Sequence, residues 1–78
     1  MAYRILIVDD EPILTELLSA HLQDHGYTVS AANSSDEALA KLNTKPNLIL
    51  LDINMPGMDG LELCKVIRNH IVCPILFL

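Results

Sequence analysis

Residues 5–10 read Ile-Leu-Ile-Val-Asp-Asp, and residues 48–52 read Leu-Ile-Leu-Leu-Asp. Both are short apolar runs that end abruptly in acid. Runs of this kind are typical of parallel β-strands that are buried on both faces. Carboxylates at such strand ends lie on the carboxyl edge of the sheet, where open α/β sheets bind their ligands. The two acidic ends therefore predict a functional site at that edge.

The rest of the chain alternates strand and helix signals. Strands are expected at about 4–8, 27–31, 48–53 and 74–78, and helices at about 12–25, 34–42 and 61–69. This alternation predicts an α/β fold with parallel strands and right-handed crossovers. The second strand is more mixed in polarity than the others, which favours a place near the edge of the sheet.

Helix boundaries also have local signals. Pro12 fits a first helical position with Asp10 or Glu11 as cap, and Gly26 fits a left-handed C-terminal cap. Residues 34–37, Ser-Ser-Asp-Glu, fit a capping box. Apolar residues recur at helical spacing in the first helix: Ile13, Leu14, Leu17, Leu18 and Leu22.

Two strand orders fit this pattern, a monotonic one and one that reverses after the second strand. Reversal gives the order 2-1-3-4 of a flavodoxin-like, doubly wound sheet, and it brings Asp9, Asp10 and Asp52 together at the switch point. In the monotonic order a strand separates these acids. We therefore prefer reversal.

Three clustered carboxylates repel one another unless a cation lies among them. Oxygen ligands with no His or Cys nearby suit a hard divalent ion, Mg²⁺ or Mn²⁺. A carboxylate beside such a metal can also act as a nucleophile and form an aspartyl phosphate.

Composition narrows the function classes. The 78 residues are 51% hydrophobic and carry a formal net charge of −5, which indicates one small globular domain and argues against direct nucleic-acid binding. We expect no membrane span and no signal peptide, and a cytoplasmic location with Cys64 and Cys73 as buried thiols. His21, His25 and His70 are interpreted as solvated residues on helix surfaces or ends.

Taken together, the motifs at residues 6–11 (Leu-Ile-Val-Asp-Asp-Glu) and 51–60 (Leu-Asp-Ile-Asn-Met-Pro-Gly-Met-Asp-Gly) resemble the receiver domain of bacterial two-component response regulators. The resemblance covers essentially the whole chain. It implies that Asp52 is the phosphoacceptor, which takes a phosphoryl group from a phosphohistidine on a sensor histidine kinase. The domain would assist only its own phosphorylation and dephosphorylation and would not be an enzyme in the ordinary sense.

The resemblance also implies a set of supporting residues. Mg²⁺ would be held by Asp10, by Asp52 and by the backbone carbonyl of Asn54, with Asp9 acting mainly through a metal-bound water. The loop over the site would be shaped by Pro56, Gly57 and Gly60, the last allowing a tight turn into the third helix.

The chain departs from the family pattern at its end. The resemblance implies that residues 1–78 are the N-terminal part of a single receiver domain, without the fifth strand, the last two helices, and the Ser or Thr and the Lys that would contact the phosphoryl group. The free edge of the fourth strand would then favour self-association. An output domain outside this chain, of the winged-helix DNA-binding kind, would control transcription.

Two other interpretations stay open. One is a Mg²⁺-dependent aspartyl-phosphate phosphatase or phosphotransferase, whose common signature has a second Asp where this chain has Asn54. The other is a receiver-like interaction module that is never phosphorylated. Its usual sign is the loss of an acid, whereas all three acids occur here.

Overall fold

A computed structural model of the chain describes residues 3–55 and 59–78. Strands and helices alternate in the order expected from the sequence. The elements are β1 (Arg4–Val8), α1 (Pro12–Asp24), β2 (Thr28–Ala32), α2 (Ser35–Ala40), a 3₁₀ turn (Lys41–Thr44), β3 (Leu48–Leu51), α3 (Gly60–Arg68) and β4 (Ile75–Phe77).

The four strands form one parallel sheet in the order β2-β1-β3-β4. The predicted reversal after the second strand is therefore confirmed, as is the place of β2 at an edge. In the register, Val8 of β1 is the partner of both Ala32 of β2 and Leu51 of β3. The two strands that end in acid are the central pair, and they end at the same level.

One face of the sheet is covered over its two central strands, β1 and β3. Side chains of β1 and β3 on this face, such as Leu6 and Ile49, are inaccessible to solvent and share a core with residues of α2 and α3. Leu63 and Ile67 are the buried residues that α3 contributes. Met55, in the loop after β3, belongs to the same core.

The opposite face is covered only in part. Helix α1 packs against β1 and β2, and Ile7 beneath it is inaccessible. Because side chains alternate between faces along a strand, the partners of Ile7 on β3 and β4, Leu50 and Leu76, also point to this face. Leu76 is 56% exposed. The half of this face over β3 and β4 therefore presents apolar surface to solvent.

The apolar pattern of α1 predicted its helix but not its burial. Ile13 and Leu17 are 74% and 65% exposed, and the buried residue of the helix is Thr15. The apolar residues of α1 recur at helical spacing as predicted, yet only some of them face the sheet. The reason is that α1 lies over two strands, β1 and β2, at one side of the sheet.

The helix ends follow the local signals with small corrections. Pro12 is the first residue of α1, and Gly26 has a positive φ of 91° just beyond its C-terminal end. Glu11 occupies the N-cap position, but its side chain caps no backbone N–H. The backbone N–H of Glu11 is instead a donor to the Asp9 carboxylate, at 2.9 Å.

Helix α2 is shorter than predicted, because the chain tightens into the 3₁₀ turn before Leu42. Ser34 accepts a hydrogen bond from the Glu37 N–H, at 3.1 Å, as the capping box predicts. The Glu37 carboxylate accepts a hydrogen bond from the N–H of Asn33 rather than from that of Ser34. Strand β3 ends at Leu51, two residues earlier than predicted, where the chain turns toward α3.

Cys64 and Cys73 are free thiols, as predicted, but they are half-buried beside the core and not buried. Burial raises the pKa of the Cys73 thiol, and the nearby charge of Arg68 lowers it. Within residues 3–55 and 59–78, no helix is long and apolar enough to cross a membrane.

Candidate functional site

The backbone fixes the ends of the two central strands. The Asp52 N–H donates to the carbonyl of Val8, at 2.9 Å, and the Asp9 N–H donates to the carbonyl of Ala32, at 3.0 Å. These bonds extend the ladder one step beyond the strands and hold Asp9 and Asp52 side by side at the carboxyl edge.

Three carboxylates meet at this edge. One carboxylate oxygen from each of Asp9, Asp10 and Asp52 lies within 4.8 Å of the other two. Asp9 is buried, at 3% exposure, whereas solvent reaches Asp10 and Asp52. The chain thus brings together the three acids that the sequence singled out.

The electrostatics of Asp9 reflect this crowding. Burial raises the pKa of its carboxyl, the hydrogen bond from the Glu11 N–H lowers it, and the negative charges of Asp52 and Asp10 raise it further. A raised pKa means that the fold disfavours the ionised form of this carboxyl. A bound cation would offset both the burial and the repulsion.

The donor set fits a hard divalent ion. Within residues 3–55 and 59–78, this is the group of three or more His, Cys, Asp or Glu side chains that could hold a metal, and all its donors are oxygen. Mg²⁺ takes one or two carboxylates and keeps several waters, which suits a cluster with one buried and two accessible acids.

The remaining predicted site residues differ in how far the structure describes them. Asn54 is exposed, and its N–H donates to Oδ1 of Asp52 at 3.0 Å. This bond places Asn54 directly beside the cluster, while a role for its carbonyl as a ligand stays a prediction. Pro56 and Gly57 lie outside the described residues.

A polar clamp behind the acids escaped prediction. Asn33 donates through Nδ2 to the backbone carbonyl of Asp9, at 2.8 Å, and to Oγ1 of Thr15, at 3.1 Å. Thr15 is buried, so the bond from Asn33 helps to satisfy a polar group in the interior. The clamp ties the end of β1 to α1 and to the loop after β2. A threonine inside an otherwise apolar helical pattern was its only sequence signal.

Gly60 is held against the backbone that follows Asp52. Its N–H donates to the carbonyl of Ile53, at 2.9 Å. A Cβ at this position would lie 2.6 Å from the Asp52 carbonyl oxygen and closer still to Cα of Ile53. Asp59, which precedes Gly60, caps α3 by accepting the N–H of Glu62 at 2.9 Å. Its role is therefore capping.

Gly60→Ala is expected to lower the free energy of unfolding by about 1–3 kcal/mol, the usual cost of forcing an extra methyl into a packed site. The displaced backbone is that of residues 52 and 53, so Mg²⁺ affinity should fall as well. Thermal melts and Mg²⁺ titrations measure the two effects.

The matched control for this substitution is Gly26→Ala. Gly26 has a positive φ, but a Cβ added there would meet nothing within 4 Å, so alanine should cost about 1–2 kcal/mol through backbone conformation alone. Its Mg²⁺ affinity should equal that of the wild type. Equal Mg²⁺ binding by both variants would contradict the role given to Gly60.

Comparison with protein families gives one match over nearly the whole chain. The family described as "Response regulator receiver domain" matches residues 5–78. Among curated proteins, the alkaline phosphatase synthesis transcriptional regulatory protein PhoP of Bacillus subtilis is 45% identical over 100% of this chain. The alignment spans 33% of PhoP, so the chain corresponds to about a third of the length of that relative.

Comparison with solved structures also finds similar proteins. The chemotaxis protein CheY4 of Vibrio cholerae superposes with a TM-score of 0.92 at 37% identity, over 99% of this chain and 68% of that one. The response regulator TrrA of Thermotoga maritima, solved with Mg²⁺ and BeF, is 47% identical with a TM-score of 0.79, over 88% of this chain and 60% of that one. TrrA has also been solved in complex with the histidine kinase ThkA, where the match covers 99% of this chain and 67% of that one, with a TM-score of 0.87 and 43% identity.

Proposed function

The chain belongs to the family of response regulator receiver domains, and from this we propose that Asp52 accepts a phosphoryl group from a phosphohistidine on a sensor histidine kinase. The observation that carries the proposal is the cluster of Asp9, Asp10 and Asp52 at the carboxyl edge of the central strands. Family membership favours this function over a phosphatase, and the presence of all three acids favours it over a module that is never phosphorylated.

The chemistry follows from the positions of the acids. A carboxylate oxygen of Asp52 attacks phosphorus as the bond from phosphorus to the donor imidazole breaks, which leaves an acyl phosphate on Asp52. The Asn54 N–H at Oδ1 holds the attacking carboxylate in orientation. In this proposal the domain assists only its own phosphorylation and dephosphorylation.

Asp10, Asp52 and the Asn54 carbonyl would hold Mg²⁺, or Mn²⁺ in its place, with Asp9 contacting it mainly through water. The ion supplies charge neutralisation for the phosphoryl oxygens. The raised pKa of Asp9 and the oxygen-only donor set support this assignment, and so does the Mg²⁺ and BeF complex of TrrA.

The test is to trap the phosphorylated residue in the full chain. The protein is incubated with acetyl phosphate and Mg²⁺, reduced with borohydride and digested, and the modified peptide is identified by mass spectrometry. We expect modification at Asp52 that disappears when EDTA replaces Mg²⁺. Modification on a histidine, or equal modification in EDTA, would overturn the proposal.

The partners are proposals for the whole protein. We propose a sensor histidine kinase as phosphodonor, supported by the complex of TrrA with ThkA, and an output domain that controls transcription, of the winged-helix kind, supported by transcriptional regulators such as PhoP. We also propose that residues 1–78 form the N-terminal part of a single receiver domain, which acts in the cytoplasm and binds neither nucleic acid nor membrane itself.

We further propose that a polypeptide of these 78 residues pairs with a second copy through β4. Among the residues that the structure describes, one side of β4 has no strand neighbour in the sheet, and an unpaired apolar edge is a template for strand pairing. Sedimentation should show dimers or larger species. Leu76→Lys should shift them toward monomer, because Leu76 is exposed beside that edge.

Leu61→Lys provides the matched control for this test. Leu61 is 58% exposed, close to the 56% of Leu76, but it belongs to α3 and not to β4. Its variant should associate as the wild type does. A monodisperse wild-type monomer with a cooperative melt would contradict the proposal.

A further inference from the structure

A second group of metal-ligating side chains lies at the C-terminal end of α1, away from the acids. His21 is in the last turn of the helix and His25 is its C-cap residue. The 13 residues of α1 span roughly 20 Å at 1.5 Å per residue. The acid cluster lies beyond the other end of this helix, so the two groups are separate.

The two imidazoles are neighbours. Residues four apart share one face of a helix, and here the ring centroids are 4.7 Å apart, with the ring planes inclined at 48°. Both residues are exposed, so an ion and its waters can reach both rings. Two histidines at this spacing are the pair that helical zinc sites use.

One hydrogen bond also prepares a ring nitrogen for a metal. Nδ1 of His25 lies 2.9 Å from the backbone carbonyl of His21. A carbonyl can only accept, so Nδ1 carries the proton, and the neutral ring then has a free lone pair at Nε2. Metal-binding histidines commonly donate their second ring N–H to a backbone carbonyl in this way, which fixes tautomer and orientation.

The surroundings favour a cation. The C-terminus of a helix carries partial negative charge, and Asp24 is the last residue of α1, between the two histidines. The chain as a whole has a formal net charge of −5.

We propose that His21 and His25 chelate a transition-metal ion of the imidazole-preferring class, Ni²⁺, Zn²⁺ or Cu²⁺, with water completing the coordination. The site would differ from the acid cluster in its preferred metal, since nitrogen donors select these ions whereas carboxylates select Mg²⁺.

The test uses the full chain with Ni²⁺ as the probe, in excess Mg²⁺ to occupy the acids. Calorimetry measures affinity, and NMR maps the signals that paramagnetic Ni²⁺ broadens. We expect broadening centred on His21 and His25. His21→Asn and His25→Asn should each lower Ni²⁺ affinity about tenfold or more, because the second bond is then no longer intramolecular.

His70→Asn is the matched control, since His70 is the third histidine and is also exposed. It should bind Ni²⁺ as the wild type does. His21→Asn is the decisive variant, because His21 uses its backbone carbonyl for the hydrogen bond and asparagine retains that group. Unchanged affinity in His21→Asn, or broadening centred on His70 or Asp52, would overturn the proposal.

Discussion

Asp52→Asn is expected to abolish phosphorylation, lowering the rate of modification by acetyl phosphate by about a hundredfold or more. The amide has no anionic oxygen to attack phosphorus, so the nucleophile is lost. Its carbonyl can still accept the Asn54 N–H that now binds Oδ1 of Asp52, and the fold should therefore persist. Intact-protein mass spectrometry after incubation measures the modified fraction.

Asp59→Asn separates loss of the acceptor from loss of any nearby acid. Asp59 caps α3, and asparagine is an equally good cap. This variant should be modified at the wild-type rate. Residual modification of Asp52→Asn near that rate would show that another residue is the acceptor.

Asp10→Asn is expected to change metal binding and metal-free stability in opposite directions. Loss of one carboxylate from the cluster should weaken Mg²⁺ binding at least about tenfold. Removing a residue that only hydrogen-bonds to a metal ligand already has an effect of that size. In EDTA the same change removes a like charge from beside Asp9 and Asp52 and should stabilise the fold by about 0.2–1 kcal/mol. Calorimetric titration and melts in EDTA measure the two effects.

The stability of the metal-free protein, and the stabilising effect of Asp10→Asn on it, should depend on pH. Burial, and then the charges of Asp52 and Asp10, raise the pKa of Asp9 above its ordinary 3.8. Metal-free stability should therefore be lost as pH rises from that value through the raised pKa, since the unfolded chain releases this proton more readily. Asp10→Asn should lose less stability over that range.

Glu11→Gln controls for a general change in charge. Glu11 is exposed and lies next to Asp10 but outside the cluster. Its variant should match the wild type in Mg²⁺ affinity. A similar loss of affinity in both variants would mean that overall charge, not the cluster, governs binding.

The features that the sequence predicted best are those set by short-range chemistry. Strand type and order followed from two apolar runs that end in acid, and the caps at Gly26 and Ser34 followed from residues with strong local preferences. That the three acids would lie together was predictable, because only one of the two possible strand orders brings them together, and that order was preferred for this reason. The close packing of Gly60 was expected only from the family resemblance, which implied a tight turn into the third helix.

Other features depended on tertiary packing that periodicity does not encode. The exposure of Ile13 and Leu17 reflects how little of the sheet lies under α1. The clamp through Asn33 joins residues 18 and 24 positions apart, and no local pattern links them. The histidine pair depends on how α1 ends. The backbone N–H of His25 donates to the carbonyl of Leu22, while Nδ1 of its ring donates to the carbonyl of His21.

The order β2-β1-β3-β4 has a consequence for hydrogen exchange. Both strands that carry the acids, β1 and β3, have a neighbour on each side, whereas the three-residue β4 is an edge. Local opening begins where backbone bonds are solvent-exposed and apolar contacts are few, so amides of β4 should exchange first and those of β1 last. The carboxylates should thus follow strands whose amides exchange more slowly than those of β4.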